Sequence, residues 1–245
     1  LSPEEARRRL EALGFAPAAC AVLLDQFAYA EARGNESHGF DRIAWLESFE
    51  GLDPDAAPRR VEATDSYERW DGNGALGYLT LGAVVAAQLA APPERSRLIV
   101  AAPVFPTGAL GHWVRQLAEA GLVAALTATS PRRLAHPEGG QKLTGTNPLA
   151  IAIPSSDGRP LVSDVSMGRV THGDVLLGRA TADDLVPFGG PQAHKAFALA
   201  VGLQLLVEAL AGHEFGAVLL VARPEADPVP ALRALAGDVR LPGDG

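Results

Sequence analysis

The chain has 245 residues, 47% of them hydrophobic, with 21 Lys and Arg against 29 Asp and Glu and a formal net charge of −8. That size and composition suit a globule with a substantial buried core, built as one large domain or two lobes. The acidic balance argues against a nucleic-acid binder, which needs a basic surface. Cys20 is the single cysteine, so no disulfide can form within this sequence, and its apolar helical setting reads as core; a reducing compartment such as the cytoplasm fits.

Ser2-Pro3-Glu4-Glu5 predicts a helix start, with Ser2 as cap, Pro3 at the first helical position and Glu5 closing a capping box. No secretory pattern is visible there. The helix should stop at Gly14, and a second should run from Pro17 to Arg33 and end at Gly34. A short helix over Phe40–Phe49 follows, then a loop from Pro54 to Arg60 and a loosely alternating edge strand over Val61–Trp70. Gly74 to Pro93 is uncharged, but its Gly, Gln and Pro content predicts a buried helix, not a membrane span; Ala196–Gly212 carries Glu208 and is too short for one. Leu98–Ala102 and Leu122–Thr129 read as buried strands around a helix over Gly108–Ala120. Leu149–Ile153 and Leu161–Val165 predict a hairpin across Ser156-Asp157-Gly158. A long apolar helix over Lys195–Ala211 and a strand over Ala217–Val221 complete an alternating α/β pattern. The domain organisation expected is a helical part over 1–70 packing with 196–245, and a central α/β part over 71–195 that carries the cofactor site.

Glu36-Ser37-His38-Gly39-Phe40-Asp41-Arg42 is the densest chemical stretch. An imidazole exchanges protons near neutral pH. A guanidinium four residues on can grip a carboxylate with two parallel hydrogen bonds. A proton donor beside a carboxylate clamp is what reduction of a 2-oxo acid, or of the matching imine, requires. Ser37 and His38 are sequence neighbours, a poor geometry for a serine nucleophile and its base, so Ser37 is better placed to orient His38 or relay its proton.

Gly72-Asn73-Gly74-Ala75-Leu76-Gly77 matches the spacing of the dinucleotide fingerprint, but the residues before it are mostly polar or charged where that fingerprint needs a buried apolar strand. A turn that starts a helix explains these glycines better. The six histidines form no H-x-x-x-H pair and Cys20 has no partner, so no metal site is expected. Gly139–Pro148 is a polar island able to bind an anion or a cofactor amide, or simply a loop between strands. Asp164, inside an apolar strand, needs a partner unless it lies on an edge facing solvent. His194 and Lys195 oppose the dipole of the helix they open, which suggests an anionic ligand or solvated charge.

Taken in order, Ser37-His38-Gly39 with Arg42, Asp71-Gly72 with Leu76-Gly77, Gly108-Ala109 with Gly111, Gly139-Gly140, Gly145-Thr146-Asn147-Pro148, Asp164, Gly189-Gly190 with His194-Lys195, and Leu241-Pro242-Gly243 resemble the malate/L-lactate dehydrogenase-like family, which includes sulfolactate dehydrogenases and Δ1-piperideine-2-carboxylate reductases. The resemblance implies the family's own non-Rossmann α/β fold, an NADH- or NADPH-dependent oxidoreductase, a small carboxylate-bearing substrate and a homodimer. It implies His38 as proton donor with Ser37 and Asp164 in its relay, Arg42 on the substrate carboxylate, Thr146 beside the substrate, and Thr107, Gly108, Asn147, His194 and Lys195 by the cofactor. Two departures stand out. Pro106 lies where some members carry a functional histidine, and the stretches from Asp164 to Gly189 and after Gly212 are short. They keep open a member that has lost the cofactor and uses His38 and Asp164 for tautomerisation, cyclisation or elimination, and a non-catalytic binding subunit.

Overall fold

The computed structural model describes residues 1–244. Helix α1 (Pro3–Ala12) starts where its cap predicts: Ser2 Oγ accepts the Glu5 N–H at 3.2 Å, and Ala6 and Leu10 are buried on its inner face. Helix α2 (Pro17–Glu31) buries Cys20, Leu23, Gln26, Phe27 and Ala30. A 3-10 turn (Glu36–His38) and a short helix α3 (Arg42–Glu47) follow. The expected strand over Val61–Trp70 is instead two, β1 (Arg59–Ala63) and β2 (Tyr67–Asp71), an antiparallel pair closed by a turn in which Thr64 N–H donates to Tyr67 O at 2.8 Å. Polar Thr64-Asp65-Ser66 favours that turn over a continuous strand.

Helix α4 (Gly77–Ala90) crosses from β2 to β3 (Ser96–Ala102), which pairs with β2 in parallel. Then come α5 (Leu110–Glu119), β4 (Val123–Ala128), a small hairpin β5–β6 (Leu134–His136, Gly139–Thr144), and the expected hairpin β7–β8 (Leu149–Ile153, Leu161–Val165). The first half of the polar island over Gly139–Pro148 is therefore a strand. The remainder is α6 (His172–Leu176), α7 (Ala193–Ala211), β9 (Ala217–Ala222) and α8 (Val229–Ala236).

Seven strands form one sheet in the order β1-β2-β3-β9-β4-β7-β8, antiparallel except for β2–β3. β9, from the expected 196–245 part, lies between β3 and β4 of the expected central part. Alternation along the central strands splits the core by face. Ile99, Ala101, Leu219 and Val221 join the cluster built with α2, α4 and α5, whereas Val100 and Val218 meet Val207 and Ala211 of α7. Cutting one such buried leucine or isoleucine to alanine costs about 2–5 kcal/mol.

With its leading 3-10 turn the last long helix spans Gly190–Ala211, 22 residues, longer than the sequence suggested and apolar enough to cross a membrane by length and composition alone. Ala196, Ala200, Gln204, Val207 and Ala211 are buried at helical spacing, while Leu199, Leu205, Leu206 and Leu210 are exposed.

Candidate active site

His38 is set by local geometry. The chain leaves α2 with Asn35 N–H bonded to Ala30 O at 3.0 Å, and the 3-10 turn closes with His38 N–H on Asn35 O at 2.9 Å. Gly39 leaves room for the Glu31 side chain: a Cβ there would lie 2.3 Å from Glu31 Oε1, whose carboxylate accepts the Phe40 N–H at 2.9 Å, and would push that carboxylate aside. The imidazole Nδ1 lies 3.1 Å from Asn35 Oδ1 and 3.2 Å from Ser37 Oγ. An amide oxygen only accepts, so the assigned Asn35 orientation makes Nδ1 the protonated nitrogen and leaves the Nε2 lone pair free.

Behind His38 runs a line of hydroxyls. Ser37, buried, has its Oγ 3.2 Å from Thr171 Oγ1, which donates to Asp174 Oδ2 at 2.7 Å. Thr171 and Asp174 form the capping box that starts α6. Gly173 allows the approach, since a Cβ there would lie 2.8 Å from Ser37 O. Burial first, then the Arg42 charge, pushes the His38 imidazole down to about 4; Asp174 opposes them.

One cavity of about 300 Å³ gathers His38, Arg42, Thr107, Gly108, Thr146 and Asp164, with residues that the sequence reading did not single out: Asn35, Ser130, Arg133, Thr171 and His172 among them. Arg42 lies 4.4 Å above the Trp45 ring, and its buried Nε has no partner. Burial and Arg42 lower the Arg133 guanidinium, and burial, Arg133 and Arg42 push His172 down to about 4. His172 stands in the wall of the same cavity as Pro106, so an imidazole lines the cavity despite that proline. Thr171-His172-Gly173-Asp174 carries a readable capping-box spacing, the signal that could have located α6.

Asp164 lies on β8, the sheet edge, and its Oδ2 accepts the Gly111 N–H at 2.7 Å near the start of α5. The carboxyl is open to the cavity yet ringed by protein. That loss of bulk water pushes it up to about 6, against the Gly111 hydrogen bond. Among the described residues no hydrogen bond joins Asp164 to His38: each enters the cavity with its own partner.

The apolar wall is Phe105 to Leu110. Trp113 Nε1 donates to Thr107 O at 2.9 Å, and Gly108 has φ +68° with no room for a Cβ beside Gln26. Asn147 does not line the cavity. Fully buried, its side chain accepts from Ser130 N–H at 3.3 Å and donates to Ala200 O and Gln204 Oε1 at 3.0 and 2.9 Å, so its place is behind Ser130 and Thr146. His194 and Lys195 are exposed on the first turn of α7 and do not line the cavity.

The Gly72–Gly77 turn does follow a strand, β2, and precede a helix in a parallel crossover, the topology that a dinucleotide fingerprint needs. Its glycines nonetheless face protein. Cβ atoms at Gly72 and Gly77 would lie 2.0 Å from Pro103 O and 2.5 Å from Pro106 O, and Gly77 N–H donates to Phe105 O. These close contacts seat the apolar wall and occupy the start of α4. Among the described residues no His, Cys, Asp and Glu cluster could hold a metal. A nicotinamide ring fits the donor set: the Phe105–Pro106 and Pro148 surfaces offer an apolar face, and the hydroxyls of Thr107, Ser130, Thr146 and Ser166 offer partners for a carboxamide.

The sequence model of the malate/L-lactate dehydrogenase family matches residues 3–184. The (2R)-3-sulfolactate dehydrogenase (NADP(+)) of Chromohalobacter salexigens is 30% identical over 84% of this chain and 69% of its own length. A Delta(1)-pyrroline-2-carboxylate/Delta(1)-piperideine-2-carboxylate reductase of Pseudomonas putida is 31% identical over 82% of this chain and 67% of its own. The crystal structure of the delta1-piperideine-2-carboxylate reductase of Pseudomonas syringae pvar. tomato superimposes with a TM-score of 0.84 at 25% identity, covering 99% of this chain and 89% of that one. The fold expected from the sequence is thereby met.

Proposed function

The chain belongs to the malate/L-lactate dehydrogenase family and is an NAD(P)-dependent oxidoreductase, and from that premise we propose that it reduces a small 2-oxo acid or cyclic imino acid. One observation carries the reading: His38, Arg42 and Asp164, from three separate elements, converge on one cavity. NADH or NADPH, when bound, supplies a hydride to the C2 carbon. Thr107 and Gly108 hold the nicotinamide end, with Asn147 supporting Ser130 and Thr146 from behind. His194 and Lys195, outside the cavity, hold a more distant anionic part.

Arg42 takes the substrate carboxylate through its fork, which orients C2. That anion also offsets the Arg42 charge, one of the two causes that hold His38 low, so the imidazole gains proton affinity as substrate binds. His38 Nε2–H then protonates the developing alkoxide or amine, while Ser37 orients the ring through Nδ1 and Asp164 meets the substrate from its own side of the cavity. In the reverse direction the neutral ring, already Nδ1-protonated, takes the hydroxyl proton. We place the enzyme in the cytoplasm as a homodimer; the exposed leucines of α7 support a second copy as their cover.

Fluorescence titration with NADH and NADPH, followed by cofactor oxidation in the presence of 2-oxo acids and cyclic imino acids, tests the proposal. Binding with turnover of a member of either class is expected. Failure of both cofactors to bind at millimolar concentration sinks it in favour of cofactor-free proton chemistry at His38 and Asp164.

A further inference from the structure

The same capping box occurs twice in succession, as Thr171-His172-Gly173-Asp174 and as Thr181-Ala182-Asp183-Asp184, and the two copies face different surroundings. In each, the threonine N–H and hydroxyl both donate to one carboxylate oxygen, at 2.9 and 2.7 Å on Asp174 and at 2.9 and 2.9 Å on Asp184. The second box starts a 3-10 turn (Ala182–Asp184). Thr181 is exposed, Asp184 is paired with Arg169, and among the described residues no other hydroxyl bonds to Thr181. Closing its turn and meeting Arg169 account for that box. The first box is turned inward against the His38 turn. Thr171 Oγ1 lies 3.2 Å from the buried Ser37 Oγ, which lies 3.2 Å from His38 Nδ1.

Donor and acceptor capacities fix a direction along this line. The Thr171 hydrogen is committed to Asp174, and the Asp174 N–H already donates to Thr171 Oγ1 at 3.1 Å, so toward Ser37 Thr171 can only accept. Asn35 Oδ1, 3.0 Å from Ser37 Oγ, also only accepts. Both neighbours claim the one hydrogen that Ser37 has, and Ser37 therefore turns a lone pair to the ring. With Ser37 donating to Thr171, every hydrogen from Nδ1 onward points away from the imidazole and toward a carboxylate.

We propose that Asp174 is a positioning residue for His38. Acting through Thr171 and Ser37, it joins Asn35 in holding a proton on Nδ1, and it steadies the imidazolium that forms when Nε2 is protonated. No proton passes along the line. The acid at its end is Asp174 on α6, not Asp164 on β8, which keeps to its own side of the cavity. That His38 donates a proton to substrate rests on the reductase reading; the direction of the hydroxyl line does not. The other charges around the ring do not replace Asp174. Arg42 from α3 lowers the imidazole, whereas Asp174 raises it. Arg133, Asp164 and His172 line the cavity with no hydrogen bond to His38 among the described residues. Arg179, beyond α6, feels the Asp174 charge but is paired with Glu36.

Two readouts test the role. Nitrogen NMR of the histidine-labelled protein, with His38 assigned by its loss in His38→Gln, reads the tautomer without substrate. Steady-state reduction of 2-oxo and cyclic imino acids across pH reads the cation. Wild-type His38 should be the Nδ1–H tautomer at neutral pH. In Asp174→Asn the neutral amide can present either its oxygen or its NH2 to Thr171, so the line loses its direction, and the Nε2–H form should reach roughly a tenth or more. The same variant should lose about tenfold in kcat, the scale of one charge-assisted hydrogen bond, with KM values changed less than about threefold. The pH at which reduction falls off should move down by roughly half to one pH unit, as the removed negative charge requires. Thr171→Val should act in the same direction, and Thr171→Ser should restore both readouts. Asp184→Asn, which breaks the matching box, should change neither and so measures what a lost cap does by itself. An unchanged tautomer and pH profile in Asp174→Asn and Thr171→Val overturns the inference, as does an equal change in Asp184→Asn. A mixed tautomer in Asp174→Asn, with no substrate reduced even by the wild type, leaves the positioning role standing and removes the reductase reading.

Discussion

Glu68 on β2 is 2% exposed, deeper than any charged group of the cavity, yet both its oxygens are met. Oε1 faces Arg60 and Arg97 at 3.2 and 3.4 Å, and Oε2 accepts from Trp70 Nε1 and Gln88 Nε2, each at 2.9 Å. Across the molecule, Arg42 and Arg133 line the cavity with no acid paired to them among the described residues, and His172 Nδ1 and Arg42 Nε lie buried and unpartnered. The first cluster completes its own electrostatics inside the fold. The second is complete only with something that the fold does not contain. A charge satisfied by its neighbours stabilises structure, whereas a charge left facing a cavity indicates a ligand of opposite sign.

The comparison breaks first on stability. Glu68→Ala leaves Arg97 and Gln88 without their shared partner and should cost about 3–5 kcal/mol, measured by chemical denaturation. Cavity substitutions should cost far less, and a loss at Glu68 under about 1 kcal/mol would show that the cluster is not structural. His38→Ala is the converse. Its melting temperature should stay within a few degrees while turnover falls roughly 100-fold, as when a general acid is lost; near-normal turnover would remove His38 from the chemistry.

The same variant carries a pH test. The folded His38 pKa, about 4, lies below the ordinary 6.5, so between those values the unfolded chain binds more protons than the folded one. The stability this residue contributes is fully present above 6.5 and is lost as pH falls through 4. His38→Ala should therefore flatten part of the wild-type decline in melting temperature over that window. An unchanged slope would mean that His38 is not held neutral by the fold.

Arg42→Lys keeps the charge but loses the planar grip. It should weaken 2-oxo acid binding by about 10-fold or more, with cofactor affinity unchanged, read from KM and from cofactor titration; equal wild-type kinetics for a 2-oxo acid and its amide would contradict the clamp. The smallest effect is expected outside the cavity. Lys195→Ala should weaken cofactor binding by about tenfold, the scale of one charge-assisted contact. Gly74→Ala, at φ +82°, should cost about 1 kcal/mol of stability and leave that affinity alone. The reverse ranking would return the pyrophosphate to the Gly72–Gly77 turn.

Local chemistry made much of this protein legible from its sequence. Ser2 and Pro3 start α1, alternation and a Ser-Asp-Gly turn make the β7–β8 hairpin, and Ser37-His38 follows the end of α2, because caps, turns and periodicity act over a few residues. That Ser37, His38 and Arg42 lie close together was readable for the same reason. Long-range pairing was not. That β9 inserts between β3 and β4, that Asp164 meets Gly111 and not His38, and that Asn147 is enclosed by Ser130, Ala200 and Gln204 depend on which strands share a sheet, which no local pattern encodes. The Gly72–Gly77 turn shows the limit most sharply. Its spacing fits a phosphate loop and its crossover is the right one, but the carbonyls of Pro103 and Pro106 occupy the space that a ligand would need. Arg133 and His172 were silent in sequence because an unpartnered polar group becomes visible only when its neighbours are known. Tertiary structure alone supplies those neighbours, and with them the distinction between a charge met inside the fold and one left facing a cavity.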